Sequence, residues 1–375
     1  MKMPVLSSAA TTIAARWNAA TVRSLKKAVG VAEVFVRGSV ARGDSVPFRS
    51  DLDLVLLLEG DAASSFDAMK TIHKALETAR RTNPSLRDWW QHLISVDEWP
   101  VIERFASVCG AAGWRTIDGR AAIPSAPKCD ERLERAAVWA QLCLWSGSVF
   151  HPVLHASGGV HSFGAGVKKS AAFASRLGIT VDVSGDRTAR TIAVFRALEK
   201  GASVVFEDAR SENRSGDRQF ETERALFVVL DERRSDAELA ATLSELSGER
   251  RPAKAVTYVV PGNALSAWPL PADPVIAGDR PPDTPAGRER ELYLHEAIFL
   301  PSALRLAVGF SDAPARLTRI NRAIERALRV YDAGWKDSLA TLEETSAALF
   351  HSGARLLPAL QDALLHFSDS RSAGR

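Results

Sequence analysis

Cysteine is scarce: Cys109, Cys129 and Cys143 are the three in 375 residues, far apart and without the paired spacing of a zinc site. That excludes a disulfide-stapled scaffold and a thiolate metal cluster, and it suits a reducing cytoplasm. Long hydrophobic runs are missing as well. None approaches the roughly 18 apolar residues that span a bilayer, and residues 1–16 lack the apolar core of a secretory signal. Charge of one sign is also absent. The 48 Lys and Arg stand against 45 Asp and Glu, so a net charge of +3 makes no electrostatic case for nucleic acid by itself. What remains is 46% hydrophobic and 25% charged, enough material for two or three globular domains. The expectation is a cytoplasmic protein without a membrane partner.

Against this ordinary background one segment stands out. Gly38-Ser39-Val40-Ala41-Arg42-Gly43 is followed by Arg49-Ser50-Asp51-Leu52-Asp53. Two short hydrophobic runs, residues 31–36 and 54–58, flank the pair of motifs and read as buried strands. A Gly-Ser turn leaving a strand brings backbone N–H groups and a hydroxyl close to phosphate, because glycine puts no side chain in the way. Strand periodicity points Asp51 and Asp53 to one side. Two carboxylates held that close repel by roughly 1–4 kcal/mol, depending on the effective dielectric, so metal binding relieves them. A phosphate cradle beside paired carboxylates is the chemistry of nucleotidyl transfer.

The pattern G-S-x-A-R-G, a short loop, then S-D-L-D-L-V resembles the nucleotidyltransferase superfamily typified by DNA polymerase β, and looks closest to its minimal and aminoglycoside branches. The resemblance extends over residues 31–99. It implies an α+β fold: an N-terminal domain with a mixed sheet and flanking helices, followed by a large mainly helical region. It also implies Mg²⁺, with two ions expected, and ATP as donor of AMP to a hydroxyl, with release of pyrophosphate. By the resemblance Asp51 and Asp53 are catalytic metal ligands, and Gly38 and Ser39 bind the triphosphate. Arg42 and Arg49 lie close enough to contact phosphates. Ser50 either joins the nucleotide site or caps the turn into the carboxylate strand.

The superfamily carries a third carboxylate on a later strand. Residues 89–99 read as that strand, with Gln91, Leu93, Ser95 and Asp97 on one face and His92, Ile94 and Val96 on the other. Asp97 is the expected third catalytic and metal-binding carboxylate, with Asp88 and Glu98 as rivals. Between the strands, residues 62–81 read as a helix with Phe66, Met69, Ile72 and Leu76 inward, and residues 9–27 as an opening helix with Ile13, Trp17, Ala20, Val22 and Leu25 on its stripe.

The expected domains are residues 1–125 for the transferase domain, 126–260 for a helical domain, 261–287 for a proline-rich linker and 288–367 for C-terminal helices. Helical patterns fall around residues 133–144, 167–177, 187–198, 222–230, 236–246, 289–308, 313–332, 336–349 and 354–365. Residues 255–260 are β-branched and fit either a strand or a helix end. Lys168, beside Lys169, follows a glycine-rich stretch and is a further candidate triphosphate contact. Arg290 and His295 have a spacing seen in helical ribonuclease toxins, and His151, His155 and His161 cluster near the same glycines; both read more simply as solvated or tolerated residues. Acidic pairs such as Glu207-Asp208, Glu221 with Glu223, Asp231-Glu232 and Glu343-Glu344 read as solvated faces rather than a wall for a cationic acceptor. The acceptor is left open between a small molecule, a partner protein and RNA. A nucleotide-binding regulatory protein whose transferase site has decayed at the third carboxylate is the alternative.

Overall fold

The computed structural model describes residues 4–48, 50–86, 91–125, 127, 130–154, 160–185, 189–190, 193–194, 196–198, 200–201, 286–331 and 345–372. The first helix, α1 (Pro4–Lys26), leads into β1 (Val31–Val36), a short α2 (Gly38–Arg42) and β2 (Leu54–Leu58). There follow α3 (Gly60–Ser64), α4 (Phe66–Thr82), β3 (His92–Ser95), α5 (Trp99–Arg104) and α6 (Ala106–Cys109). Beyond them lie α7 (Glu131–Leu154), α8 (Val160–Arg176), α9 (Ala286–Ala307), α10 (Ala313–Val330) and α11 (Ser346–Ser372).

The sheet has the order β1-β2-β3, with β1 antiparallel and β3 parallel to the central β2. This is the mixed sheet with flanking helices, followed by a mostly helical region, that the sequence led us to expect. The aliphatic run of β2 fits its place. Leu54, Val55, Leu56 and Leu58 are all buried, as a central strand covered on both faces requires. Past the end of β1, Val36 and Arg115 exchange backbone hydrogen bonds at 2.7 and 3.0 Å, which extends that edge.

Two helices depart from the sequence expectation. The stripe on α1 is only partly the one read from its apolar residues: Val22 and Leu25 face inward as expected, joined by Ala14, Asn18 and Thr21, while Ile13 and Trp17 are 46% and 44% exposed. Polar Asn18 and Thr21 go inside because Asn83 satisfies them, its Nδ2 donating to Asn18 Oδ1 at 3.1 Å and to Thr21 Oγ1 at 2.9 Å. The stretch 62–81 is two helices, because Ser65 interrupts it as the N-cap of α4, its Oγ accepting from the Ala68 N–H at 3.3 Å. On α4, Met69, Ile72 and Leu76 are buried as the period predicts.

The chain divides into two compact units. One takes in the described residues up to 127 and from 297 onward; the other takes in those from 130 to 201 and from 286 to 296. The first break falls between residues 127 and 130. The C-terminal helices, read from sequence as a separate region from 288, instead group with the N-terminal sheet from Ala297 on. Ser302 Oγ accepts from the Leu93 N–H of the edge strand at 2.9 Å. Arg305, 2% exposed, donates to the carbonyls of Ala63 and Leu93 at 3.1 and 2.9 Å and forms a two-pronged pair with Glu98. A long proline-rich insertion hides this link in the sequence. Within the second unit, α7 packs on α8 around Trp139, and the Arg176–Glu134 ion pair at 3.1 Å joins them.

The expected helices around 222–230 and 236–246, the segment 255–260, almost all of the linker 261–287 and most of the helix at 336–349 lie outside the described residues, as do the acidic pairs between 207 and 232 and at 343–344. The helices expected at 289–308 and 313–332 correspond to α9 and α10, and residues 354–365 lie within α11.

Candidate active site

Four backbone contacts fix the segment Asp51-Leu52-Asp53. Leu52 N–H donates to the Ser85 carbonyl at 2.6 Å, and Arg37 N–H donates to the Asp53 carbonyl at 3.0 Å. Buried Gln91 supplies the other two: its Oε1 accepts from Leu54 N–H at 2.6 Å, and its Nε2 donates to the Leu52 carbonyl at 3.5 Å. Leu52 and Leu54 point into the core at 1% and 0% exposure. Alternation therefore turns half-buried Asp51 and Asp53 the other way, onto a common side.

Gly38 sits directly under that side. Its φ of +66° is one that side chains rarely tolerate, and a Cβ built there would lie 2.5 Å from Asp53 Oδ2. Glycine thus lets the Asp53 carboxylate lie over the first residue of the Gly-Ser turn. Ser39 follows, its carbonyl accepting from Asp44 N–H at 3.1 Å, and α2 closes on Gly43 in the left-handed conformation. The two motifs, fifteen positions apart in sequence, are brought together at Gly38 and Asp53.

The other candidates are distributed less tightly. Arg42 is exposed at the end of α2 and pairs with Asp44 at 3.2 Å. Ser50 closes the intervening loop, with its Oγ accepting from Val46 N–H at 2.8 Å and its N–H donating to the Val46 carbonyl at 2.9 Å. Phe48, at a φ of 60°, anchors the same loop edge-on to Trp17 at 5.7 Å between ring centroids. Arg49 lies outside the described residues. Lys168 is exposed on α8 in the second unit, and neighbouring Lys169 holds its ammonium 3.4 Å from the Trp145 ring centroid. On α9, His295 is in hydrogen-bond contact with Gln141 Nε2 at 3.0 Å.

Asp97 is not brought to the pair, for two reasons. Because β3 runs parallel to β2 with Ser95 opposite Leu58, about 16 Å along the strand from Asp53, Asp97 lies beyond the far end of the sheet. Ser95, the last strand residue before it, is also on the other face. Val55 pairs with His92, so the face carrying Asp53 is continued on β3 by His92 and Ile94, whereas Leu93 and Ser95 pair with Leu56 and Leu58. The Asp97 carboxylate instead lies against Gly60, with one oxygen 3.3 Å from Ser95 Oγ. Glu98 is committed too: it accepts from Ser95 N–H at 3.1 Å and holds Arg305. Asp88 lies outside the described residues. Among the described residues no group of three or more His, Cys, Asp or Glu side chains is arranged around a metal position.

Of three residues near the carboxylates, Arg37 was missed from sequence, while Gln91 and His92 were read only as members of the two faces of the third strand. Gln91 is the clamp described above. His92 lies on the carboxylates' face of β3, its ring stacked on Phe299 at 4.2 Å between centroids. Arg37 comes directly opposite Asp53, one step beyond the Val36–Leu54 pair of the antiparallel ladder. Burial pushes the Arg37 guanidinium below its usual pKa, and the negative charge of Asp53 pushes back. The signal for all three was strand register, which can be counted only once the pairing of β1 and β3 to β2 is known.

A glycine-serine turn set against paired carboxylates at the mouth of a mixed sheet defines a nucleotidyl-transfer domain. Residues 20–88 match the nucleotidyltransferase domain family, which supports the nucleotidyltransferase superfamily for this part of the chain. No curated protein and no solved structure matches the chain. No described helix is long and apolar enough to cross a membrane.

Proposed function

We propose that the chain is a Mg²⁺-dependent nucleotidyltransferase that moves AMP from ATP onto a hydroxyl of an acceptor, with release of pyrophosphate. The acceptor class is a small molecule, a protein or an RNA. The observation that carries the reading is the placement of the Asp53 carboxylate over Gly38, which puts a cation ligand and a phosphate-binding turn within one another's reach. The donor set suits Mg²⁺, which takes one or two carboxylates and completes its shell with water and substrate phosphate. When bound, that ion offsets charge on the phosphoryl oxygens and the leaving pyrophosphate.

The chain's own residues do the positioning. Gly38 and Ser39 offer the triphosphate a backbone approach beside the Asp53 carboxylate. Asp51 and Asp53 present their oxygens from one side, and Gln91 holds the backbone between them so that neither swings away. Preorganisation of this kind lowers the barrier because the groups are in place before charge develops.

A second reading has its own observation. On β3 the face shared with Asp53 carries His92 rather than a carboxylate, and the expected Asp97 is at the other end of the strand. That favours a nucleotide-binding regulatory protein without turnover. The two are separated by incubating the protein with each α-³²P-labelled nucleoside triphosphate, Mg²⁺ and cell lysate, beside an Asp51→Asn/Asp53→Asn control. Label on a lysate component, lost in the control, supports the transferase. Nucleotide binding without label from any triphosphate overturns it in favour of the regulatory reading.

A further inference from the structure

Trp17 is 44% exposed on α1, and among the described residues it is the only aromatic side chain so exposed. Ile13, one turn earlier on the helix, and Val46, two residues before Phe48, are exposed with it at 46% and 51%. Exposed apolar area around one ring pair marks a binding surface rather than a demand of the fold. Its place relative to the carboxylates is fixed from two sides. Asn18, the next residue, takes a hydrogen bond from Asn83 Nδ2 at 3.1 Å. Asn83 Oδ1 accepts from Ser85 N–H at 2.9 Å, and the Ser85 carbonyl accepts at 2.6 Å from the N–H of Leu52, between Asp51 and Asp53. On the other side, the loop bearing Phe48 is tied to the Gly-Ser turn, Asp44 N–H donating to the Ser39 carbonyl at 3.1 Å, and it ends at Asp51. Phe48 lies three residues before Asp51, so their Cα atoms are at most about 11 Å apart.

Phe48 also holds a φ of 60°, the only positive φ outside glycine among the described residues. Such a conformation persists where its surroundings over-determine it. Here the Val46–Ser50 bonds close the loop, and the Phe48 ring meets Trp17 at an interplanar angle of 73°. That contact braces the indole and leaves area on it for another ring. From this placement we infer that Trp17, braced by Phe48, is the platform on which the base of the bound nucleoside triphosphate stacks. The inference rests on the proposed nucleotide site. The loop that joins the triphosphate turn to the carboxylates is the one that presents the ring pair, which favours the donor's base over the acceptor as occupant. Every base offers a π-face, so the platform rewards ring area and favours purines without reading hydrogen bonds.

The test is a titration of the full chain with Mg²⁺ and either the non-hydrolysable α,β-methylene analogue of ATP or inorganic tripolyphosphate, which has no base. Trp17→Ala is expected to weaken the analogue at least about five-fold, the lower end of what one stacked base contributes, and to leave tripolyphosphate unchanged. Analogue binding is also expected to quench tryptophan emission in the wild type. Trp17→Phe, which keeps a ring, should abolish that quench and hold the affinity to within about three-fold. Equal analogue affinity in the wild type and Trp17→Ala overturns the inference, and so does a parallel loss of analogue and tripolyphosphate, which marks a structural role. A quench that survives in Trp17→Phe overturns it even where Trp17→Ala does not fold. A wild type that binds neither ligand fails the proposed nucleotide site itself, and the inference with it.

Discussion

Replacing Gly38 by alanine tests the central geometry of the site, because it adds two separable costs. The first is conformational. At a φ of +66° an L-residue pays about 1–2 kcal/mol that glycine does not. The second is steric. The new Cβ would meet Asp53 Oδ2 at 2.5 Å, roughly 1 Å inside ordinary contact. The obstructing atom is the tip of a side chain, so Asp53 gives way by leaving its rotamer, at about 0.5–1.5 kcal/mol. Together these predict a loss of about 1.5–3.5 kcal/mol in urea unfolding, too little to prevent folding. The functional loss is larger in proportion, because the yielding atom is the proposed cation ligand: Mn²⁺ affinity should fall at least ten-fold. Gly43→Ala is the control. Its φ of +77° carries the same conformational cost, but nothing lies within 4 Å of the added Cβ, so it should lose stability and keep its Mn²⁺ affinity. Equal Mn²⁺ affinity in the Gly38 and Gly43 variants would refute the placement of Asp53 over the turn.

Asp97→Asn should leave Mn²⁺ and nucleotide binding within about two-fold of wild type, since Asp97 packs against Gly60 at the other end of the sheet; a loss beyond ten-fold in a titration would return it to the site. The third prediction concerns pH. Burial depresses the pKa of His73, whose Nε2–H donates to the Arg305 carbonyl at 3.0 Å. The unfolded chain therefore takes up a proton below about pH 6.5 that the folded chain resists. Stability contributed by neutral His73 is complete above that pH and is lost as pH falls toward the folded pKa, at a slope of at most about 1.4 kcal/mol per pH unit. Urea unfolding at pH 7.5 and 5.5 checks it: His73→Gln should flatten the difference, and an unchanged slope would remove His73 as its source.

Local features were legible without coordinates because they depend on neighbours in the chain. The strands at 31–36 and 54–58 came from short aliphatic runs, α4 from its three-and-four spacing, and the turn over the carboxylates from glycine and aspartate at fixed offsets. Side-chain parity on the strand before Trp99 was also readable, with Asp97 grouped with Gln91, Leu93 and Ser95. What parity along one strand does not carry is which face is shared with a neighbour, and which end lies beside it. Those depend on pairing, and here the parallel alignment of Val55 with His92 puts Leu93 and Ser95 on the opposite face and Asp97 beyond the opposite end.

The same distinction runs through the whole molecule. By itself the sequence determined that this chain carries a Gly-Ser turn and an Asp-x-Asp strand at a spacing suited to phosphate and metal, since both motifs act through local backbone geometry. Only the tertiary structure decided what stands around them. It brought Arg37 opposite Asp53 and Gln91 under Leu52, and it laid Arg305, more than two hundred residues away, along the edge of β3. Contacts of that kind are settled by strand register and by burial of polar groups that must find partners, and neither is written in any local stretch of the chain.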